Sequence, residues 1–223
     1  MQKILLLGLF LCESISFLHA AIPTRLDSRR IVDVLGNAYG EQAAKRGEAW
    51  VEVLGKEYVN DQQKLQSINQ FFNQLEFSTD QKIWGENNYW ATPLEFIGAN
   101  AGDCEDFALA KYFSLLELGI KDERLRIVMV KAMMINQYHM VLAYYPSPTV
   151  EPLILDNLIG EIKVASERKD LIPIYSFNGK QLWLNKKRIQ GVVAGKSSRL
   201  KRWDDLNRRM GLKNLRQPVT NME

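Results

Sequence analysis

The chain has 223 residues, of which 46% are apolar, and a formal net charge of +3 at neutral pH. This length suits one domain with a substantial hydrophobic core. The excess of positive charge is too small to indicate a nucleic-acid-binding protein. Helical and strand patterns both occur and no internal repeat does, so we expect a single domain of mixed α/β (α+β) class.

The first twenty residues have the pattern of a secretory signal peptide. Lys3 supplies the positive start, Ile4–Leu11 supply the apolar run, and Ala20 or Ala21 is a small residue at which cleavage can occur. We therefore expect residues 1–20 to be a signal peptide and residues 21–223 to form the exported domain.

Two other interpretations of this segment stay open. An uncleaved membrane anchor is disfavoured because Glu13 interrupts the apolar run, which is shorter than the roughly 20 residues that span a bilayer. A lipid-modified Cys12 is disfavoured because Leu11 stands where a small residue is expected. Export places Cys104 in an oxidising compartment without a cysteine partner, and such a thiol is either buried and inert or reactive.

Apolar residues at helical spacing predict two helices before residue 76. The first covers Arg29–Leu54, where three glycines weaken the prediction of an unbroken helix. The second covers Asp61–Leu75, with Asp61 as its cap. We interpret both apolar stripes as core packing.

Residues 77–101 have a different composition, with aromatic and polar side chains, a proline and two glycines. We predict an ordered surface loop here, with a short helix at Pro93–Gly98. Trp84 and Trp90 precede the cysteine, and they either line a substrate cleft or cover the core.

A central helix is predicted over Asp103–Leu118, with Gly119 as its stop. Its residues are apolar on most faces, which is typical of a buried helix. Cys104 then lies at the N-terminus of this helix, where backbone dipoles and free N–H groups favour a thiolate.

Strand patterns follow the central helix. The predicted strands are Arg126–Val130, Tyr138–Tyr145, Pro152–Leu155, Ile172–Phe177 and Gln181–Asn185, with Asn178-Gly179 as a hairpin turn between the last two. An amphipathic helix is predicted at Lys196–Leu212. Its basic face is either solvated or a surface that binds an anionic partner.

Beyond the predicted signal, Cys104 is the only cysteine and His139 is the only histidine. Each has an ordinary interpretation, as a packed thiol or a structural imidazole. Together they predict a nucleophile–base pair, because the central helix and a neighbouring strand can bring them to one point. Asp156, at the end of the next strand, would orient the imidazole and complete a triad. The backbone N–H of Cys104 and the indole of Trp90 are candidate donors to the oxyanion.

Three carboxylates, Asp103, Glu105 and Asp106, flank the thiol in the sequence. A like charge at 4 Å opposes a thiolate by about 1 kcal/mol in bulk water and by about 4 kcal/mol at an effective dielectric constant of 20. No lysine or arginine lies between residues 97 and 109. A divalent cation with oxygen ligands, calcium rather than zinc, would compensate this charge. The alternative is that the acids cap the helix and face water.

The motif Gly102-Asp103-Cys104-Glu105-Asp106-Phe107-Ala108 resembles that of the bacterial transglutaminase-like cysteine proteases. Residues 89–96, 139–142 and 155–157 are similar to the same family, and the resemblance is strongest from Trp84 to Asn157. It implies a papain-like fold in which a central helix carrying the nucleophile packs on an antiparallel sheet. It implies that Cys104, His139 and Asp156 are the catalytic triad. It also implies that calcium binds Asp103 and Glu105, with Asp106 as a further ligand.

The same resemblance implies a biological role. The family acts in the periplasm, where it cleaves the N-terminal retention region of a large surface adhesin, typically within an alanine-pair motif, and so releases biofilm cells. The resemblance also implies that an inner-membrane receptor for cyclic di-GMP sequesters the protease through its periplasmic domain. A transglutaminase-like acyltransferase that cross-links proteins would use the same triad. A binding module that keeps the fold without catalysis is a third hypothesis.

Overall fold

The structure is a computed structural model that describes residues 28–185 and 191–220. Within these residues it contains seven α-helices, a seven-stranded antiparallel sheet and a two-stranded parallel ladder. The predicted signal at residues 1–20 lies outside the described residues and stays a prediction. None of the helices in the described part of the chain has the length and apolar character that crossing a membrane requires.

Two helices replace the single one predicted over Arg29–Leu54: α1 covers Ser28–Tyr39 and α2 covers Glu41–Gly55. The break falls at Gly40, whose φ of +96° is a conformation that residues with a side chain avoid. Four apolar residues of the first predicted stripe are buried, namely Ile31, Leu35, Ala43 and Trp50. The apolar stripes are therefore core packing, as predicted.

The next helix, α3, covers Asp61–Phe72. Its N-cap is Asn60, whose Oδ1 accepts the backbone N–H of Gln63 at 3.0 Å, so the prediction that Asp61 caps the helix is wrong by one residue. Asp61 instead accepts a hydrogen bond from Arg124 Nη1 at 2.6 Å. This ion pair joins the start of α3 to the turn that precedes the main sheet.

The segment predicted as a surface loop is structured, and it is largely buried from residue 90 onward. Its elements are β1 (Glu76–Phe77), α4 (Asp80–Trp84), α5 (Pro93–Ala99) and β2 (Ala101–Gly102), and β1 pairs in parallel with β2. The predicted short helix is confirmed as α5. It begins with a proline and has a capping box between Thr92 and Glu95.

Both tryptophans of this segment belong to the hydrophobic core. Trp84 is 1% exposed and Trp90 is 6% exposed. The ring of Trp90 stacks on Phe177, with the two centroids 5.7 Å apart. Of the two roles left open for these side chains, the structure supports core packing, because burial of large rings removes much apolar area from water.

The central helix, α6, covers Cys104–Glu117 and confirms the predicted helix to within one residue at each end. Asp103 caps α6 by accepting the backbone N–H of Glu105 at 3.2 Å, and Asp106 accepts the backbone N–H of Asp103 to complete a capping box. Residues 106–115 are all buried, which confirms a helix covered on every face. It packs against α3, α5 and the main sheet.

The main sheet has seven antiparallel strands in the order β6-β5-β4-β3-β7-β8-β9. Its strands are β3 (Leu125–Ala132), β4 (Gln137–Tyr144), β5 (Leu153–Leu155), β6 (Lys163–Val164), β7 (Leu171–Phe177), β8 (Gln181–Leu184) and β9 (Val192–Lys196). The five predicted strands are confirmed, and no end moves by more than two residues. β6 and β9 are additional, and β6 is too short to produce a strand pattern.

Strand register brings the predicted base close to the residue that would orient it. Leu142 of β4 lies opposite Leu155 of β5, and Asp156 directly follows β5. Antiparallel pairing therefore carries Asp156 toward the residues that precede Leu142, which include His139. The helix α6 also packs on β4, and its first residue, Cys104, lines the same cleft as His139.

The C-terminal helix, α7, covers Lys201–Arg209 and is shorter than predicted. Its buried apolar residues are Trp203 and Leu206. The basic face is not entirely solvated, because Arg209 binds the buried Glu95 carboxylate at 2.9 Å and the Trp90 carbonyl at 2.6 Å. The helix is therefore anchored on the segment that precedes α6.

Candidate active site

Cys104 is the first residue of α6 and is partly exposed. The backbone just before it passes very close to the helix: a Cβ at Gly102 would lie 2.6 Å from Asp106 Oδ2, so this approach requires glycine. The local sequence therefore holds the thiol at a helix N-terminus, where backbone dipoles favour the thiolate.

His139 and Asp156 form a buried pair. Nε2 of His139 lies 2.7 Å from Oδ1 of Asp156, and the two residues are 2% and 1% exposed. Burial by itself raises the pKa of Asp156, but hydrogen bonds from His139 and Arg168 and the histidine charge lower it to about 2. Asp156 is thus an anion that accepts the Nε2 proton, which leaves Nδ1 of the imidazole for a reacting group.

Cys104 and His139 line one cleft, whose volume is about 570 Å³. The backbone N–H of Met140, the residue after His139, is close enough to the Cys104 sulfur to oppose the rise in the pKa of the thiol. The thiol therefore lies beside the histidine strand and borders an open cleft instead of a sealed apolar interior. The structure brings the three predicted triad residues together, and their catalytic roles stay predictions.

The thiol also contacts a carboxylate. Sγ of Cys104 donates a hydrogen bond to Glu105 Oε2 at 2.7 Å. Burial, followed by the charges of Glu105 and Asp103, raises the pKa of the Cys104 thiol. The electrostatic obstacle expected from the sequence is therefore present in the structure.

Two adjoining groups of side chains in the described residues have the spacing of metal ligands. They are Asp103, Cys104 and Glu105, and Asp80, Asp103 and Asp106. Within each group, one ligand atom per residue lies within 4.8 Å of the others. Asp103 belongs to both groups, so the four carboxylates form one set, which we call the acidic cluster: Asp80, Asp103, Glu105 and Asp106.

Asp80 is the member of the acidic cluster that the sequence does not predict. Its Oδ2 accepts the backbone N–H of Tyr89 at 2.7 Å, whereas Oδ1 is buried without a hydrogen-bond partner among the described residues. A buried carboxylate oxygen without a donor, beside other carboxylates, is suited to a cation. Asp80 opens the short helix α4, and its local pattern is that of any acid in a first helical turn.

The carboxyl groups of the acidic cluster oppose one another's ionisation. Burial and the charges of neighbouring acids raise the pKa of Asp103, and burial and Asp80 do the same for Asp106. Burial and Glu105 raise the pKa of Asp80, against weaker opposing effects of the Tyr89 N–H, of Asp103 and of Arg202. The cluster therefore contains more negative charge than the surrounding side chains compensate.

Arg168 is a second residue of the site that the sequence does not predict. It is buried, and its Nη2 donates to Asp156 Oδ2 at 2.7 Å and to Asp170 Oδ2 at 2.9 Å. Arg168 lies in a turn and is one of 29 lysines and arginines, so no spacing in the sequence distinguishes it. Its charge contributes to keeping Asp156 ionised.

Trp90 was predicted as a candidate oxyanion donor, and its ring lies in the core. It is absent from the described residues that line the cleft. The role stays a prediction without support from this geometry. The backbone N–H of Cys104 lies in the first turn of α6, where N–H groups have no intrahelical acceptor.

The rim of the cleft is apolar. Five large hydrophobic residues that line it are exposed, namely Phe77, Ile135, Tyr138, Leu158 and Ile174. Exposed apolar side chains grouped around a cleft are typical of a surface that binds another chain. The cleft beside the thiol therefore suits a peptide segment.

A helix that carries a thiol at its N-terminus, packed on an antiparallel sheet with a His–Asp pair, defines the class of transglutaminase-like cysteine proteases. The family model described as bacterial transglutaminase-like cysteine proteinase (BTLCP) matches residues 41–187. The chain belongs to this family and is a cysteine protease. A comparison with curated proteins finds no match.

Solved structures of Legionella pneumophila LapG are similar to this chain. The calcium-bound form is 40% identical with a TM-score of 0.71, and the match covers 82% of this chain and 99% of that one. The EGTA-treated form is 40% identical with a TM-score of 0.74, over 82% of this chain and 97% of that one. The transglutaminase-like fold predicted from the sequence is thereby confirmed.

Proposed function

We propose that this protein is a calcium-dependent endopeptidase of the periplasm that uses Cys104, His139 and Asp156 as its triad. The observation that carries the proposal is that His139, hydrogen-bonded to the buried Asp156, lines the cleft that Cys104 also lines. A thiol at a helix N-terminus and an imidazole oriented by a buried carboxylate, both on one open cleft, are the components of nucleophilic catalysis.

The chemistry assigns a distinct task to each residue. His139 takes the proton of the Cys104 thiol, and the sulfur attacks the carbonyl carbon of the scissile peptide. His139 then gives the proton to the leaving amine as the C–N bond breaks and an acyl-enzyme forms. Water, deprotonated by the same imidazole, hydrolyses the thioester and releases the free carboxylate. Asp156 holds the imidazole through Nε2, and the Cys104 backbone N–H is the proposed oxyanion donor.

The acidic cluster is the proposed calcium site. Its four carboxylates are hard oxygen ligands, and the unpartnered Oδ1 of Asp80 matches what calcium requires. Bound calcium would supply positive charge beside the thiol and would compete for the Glu105 carboxylate, which favours the thiolate. The existence of calcium-bound and EGTA-treated forms of LapG supports this assignment.

The proposed substrate is the N-terminal retention region of a large surface adhesin, cut within an alanine-pair motif, so that cleavage disperses a biofilm. The motifs around Cys104, His139 and Asp156 and the similarity to LapG support this choice. The apolar rim of the cleft is compatible with small apolar side chains next to the cut. We propose an inner-membrane cyclic di-GMP receptor, acting through its periplasmic domain, as the sequestering partner.

The test is cleavage of a purified adhesin N-terminal fragment, with new termini mapped by mass spectrometry. We expect one cut with calcium, none after thorough chelation, and none with Cys104→Ala. Full activity after chelation would remove calcium from the proposal, and activity of Cys104→Ala would remove the mechanism. Incorporation of an added amine into the product, in place of hydrolysis, would indicate the acyltransferase.

A further inference from the structure

A buried lysine lies on the same face of the central helix as the proposed nucleophile. Lys111 follows Cys104 by seven positions (104 to 111), which is close to two turns of α6. Lys111 is 1% exposed, although lysine is rarely buried without a partner. No described carboxylate lies within ion-pair distance of its ammonium group. Burying a lysine side chain in a core costs free energy, so the burial of Lys111 requires a specific explanation.

The partner of Lys111 is an amide at the end of another helix. Nζ of Lys111 donates to Oδ1 of Asn73 at 2.7 Å, and Asn73 is the residue that ends α3. The other atom of the same amide, Nδ2, donates to the backbone carbonyl of Asp156 at 2.9 Å. The two bonds form a continuous link from the helix of Cys104 to the chain at Asp156.

The loop after Asp156 is held to α3 at a second point. Asn69, one turn before Asn73, donates through Nδ2 to the carbonyl of Gly160 at 2.8 Å. The side chain of Asp156 is bound separately, by His139 and Arg168. The backbone and the carboxylate of Asp156 are therefore fixed by different partners.

We propose that Lys111 and Asn73 are positioning residues, which fix the backbone of Asp156 relative to the helix that carries Cys104. The proposal rests on the proposed triad. Cys104 and Asp156 belong to different elements, and a small displacement between them misaligns the imidazole that lies between. The hydrogen bonds of Asn73 fix the backbone of Asp156 and the helix of Cys104 relative to the end of α3.

The electrostatics of this region agree with the geometry. Burial lowers the pKa of Lys111 to about 7, and the charge of Asp156 opposes this shift. A neutral or a charged Lys111 retains an N–H for Asn73, so the link persists in either state. A role limited to filling the core would be served equally by methionine, which has a similar length and no polar group.

Two variants test the link in the full chain with saturating calcium. Lys111→Met removes the donor to Asn73, and Asn73→Asp keeps an acceptor for Lys111 but removes the donor to Asp156. We expect each variant to lower kcat about tenfold with KM changed less than twofold. Because both substitutions break the same link, the kcat of the double variant should be no lower than that of the less active single variant. Lys64→Met is the matched control, since Lys64 also donates to a backbone carbonyl, that of Leu118 at 2.8 Å.

A spectroscopic readout separates positioning from stability and from the proposed activity. The imidazole N–H resonance of His139, assigned with His139→Gln, should shift in both variants and stay unchanged in Lys64→Met. If Lys111→Met does not fold, Asn73→Asp decides, because Asn73 is only half buried. A wild-type kcat with an unchanged resonance, or fully additive effects, would overturn the proposal. Absence of cleavage by the wild type would defeat the proposed function, and the resonance would still test the link.

Discussion

The two sides of Cys104 hold their carboxylates in opposite ways. On the histidine side, the oxygens of Asp156 receive hydrogen bonds from His139 and from Arg168, each at 2.7 Å. The pKa of Asp156 consequently falls to about 2. On the other side, the acidic cluster brings together Asp80, Asp103, Glu105 and Asp106, and the pKa values of Asp80, Asp103 and Asp106 are raised.

The difference shows that burial alone does not decide the charge of a carboxyl group. A buried acid with a guanidinium and an imidazole as donors is stable as an anion, whereas acids buried against one another need an added cation. We therefore expect the histidine side to be the same with and without calcium. The acidic cluster should be the part that responds to the ion.

The largest effect is expected at the sulfur between the two sides. Cys104→Ala should reduce kcat by at least about 10³-fold, because it removes the nucleophile, while stability changes by no more than about 1 kcal/mol. Single-turnover cleavage and urea unfolding measure the two quantities. Asp204→Asn, at a partly exposed position of α7 far from Cys104 in the chain, is the control. Cleavage by Cys104→Ala near the wild-type rate would show that Cys104 is not the nucleophile.

The next largest effect is expected on the histidine side, where the charge of Asp156 is compensated. Arg168→Met should destabilise the fold by about 3 kcal/mol, because it removes the guanidinium that donates to the buried Asp156 carboxylate. It should also slow cleavage, since Asp156 then holds a proton more readily and orients His139 less well. Chemical unfolding and kcat measure the change. A loss below about 0.5 kcal/mol, the usual range for surface substitutions, would contradict this account.

The pH dependence of stability gives a further test of the histidine side. The folded-state pKa of Asp156 is about 2, below its ordinary value of 3.8, so its contribution is present above pH 3.8 and is lost as the pH falls toward 2. This contribution is on the order of 2 kcal/mol. Wild type should therefore lose stability more steeply than Asp156→Asn between pH 4 and pH 2, in urea titrations at fixed pH. Parallel curves would show that the carboxylate is not held as an anion.

The smallest effect is expected in the acidic cluster. Asp80→Asn removes one charge from the acidic cluster and keeps an acceptor for the Tyr89 N–H. Without calcium the variant should be more stable than wild type, on the order of 1 kcal/mol at pH 7, because repulsion falls. With calcium the order should reverse, since the variant binds the ion less tightly. Thermal unfolding in calcium and in EGTA measures both, and equal calcium shifts in the two proteins would exclude Asp80 as a ligand.

Local patterns predicted most of the fold because the same residues that set the pattern form the element. The apolar residues of α6 and the glycine that follows it predicted this helix to within one residue at each end, and β-branched or apolar runs predicted five strands. The prediction failed where tertiary burial overrides composition. Residues 77–101 are polar and aromatic like a surface loop, yet Trp90 packs on Phe177, about ninety positions away in the chain.

By itself, the sequence determined that one thiol and one imidazole follow the export signal pattern, that the thiol begins a buried helix, and that acids flank it. These properties follow from the number of residues of each type and from the spacing of neighbouring residues in the chain. Only the tertiary structure decided that Arg168 neutralises Asp156, that Asp80 joins the acidic cluster, and that Lys111 reaches Asp156 through Asn73. Such contacts join residues from separate elements, and the packing of helices on a sheet, which no local pattern encodes, sets their distances.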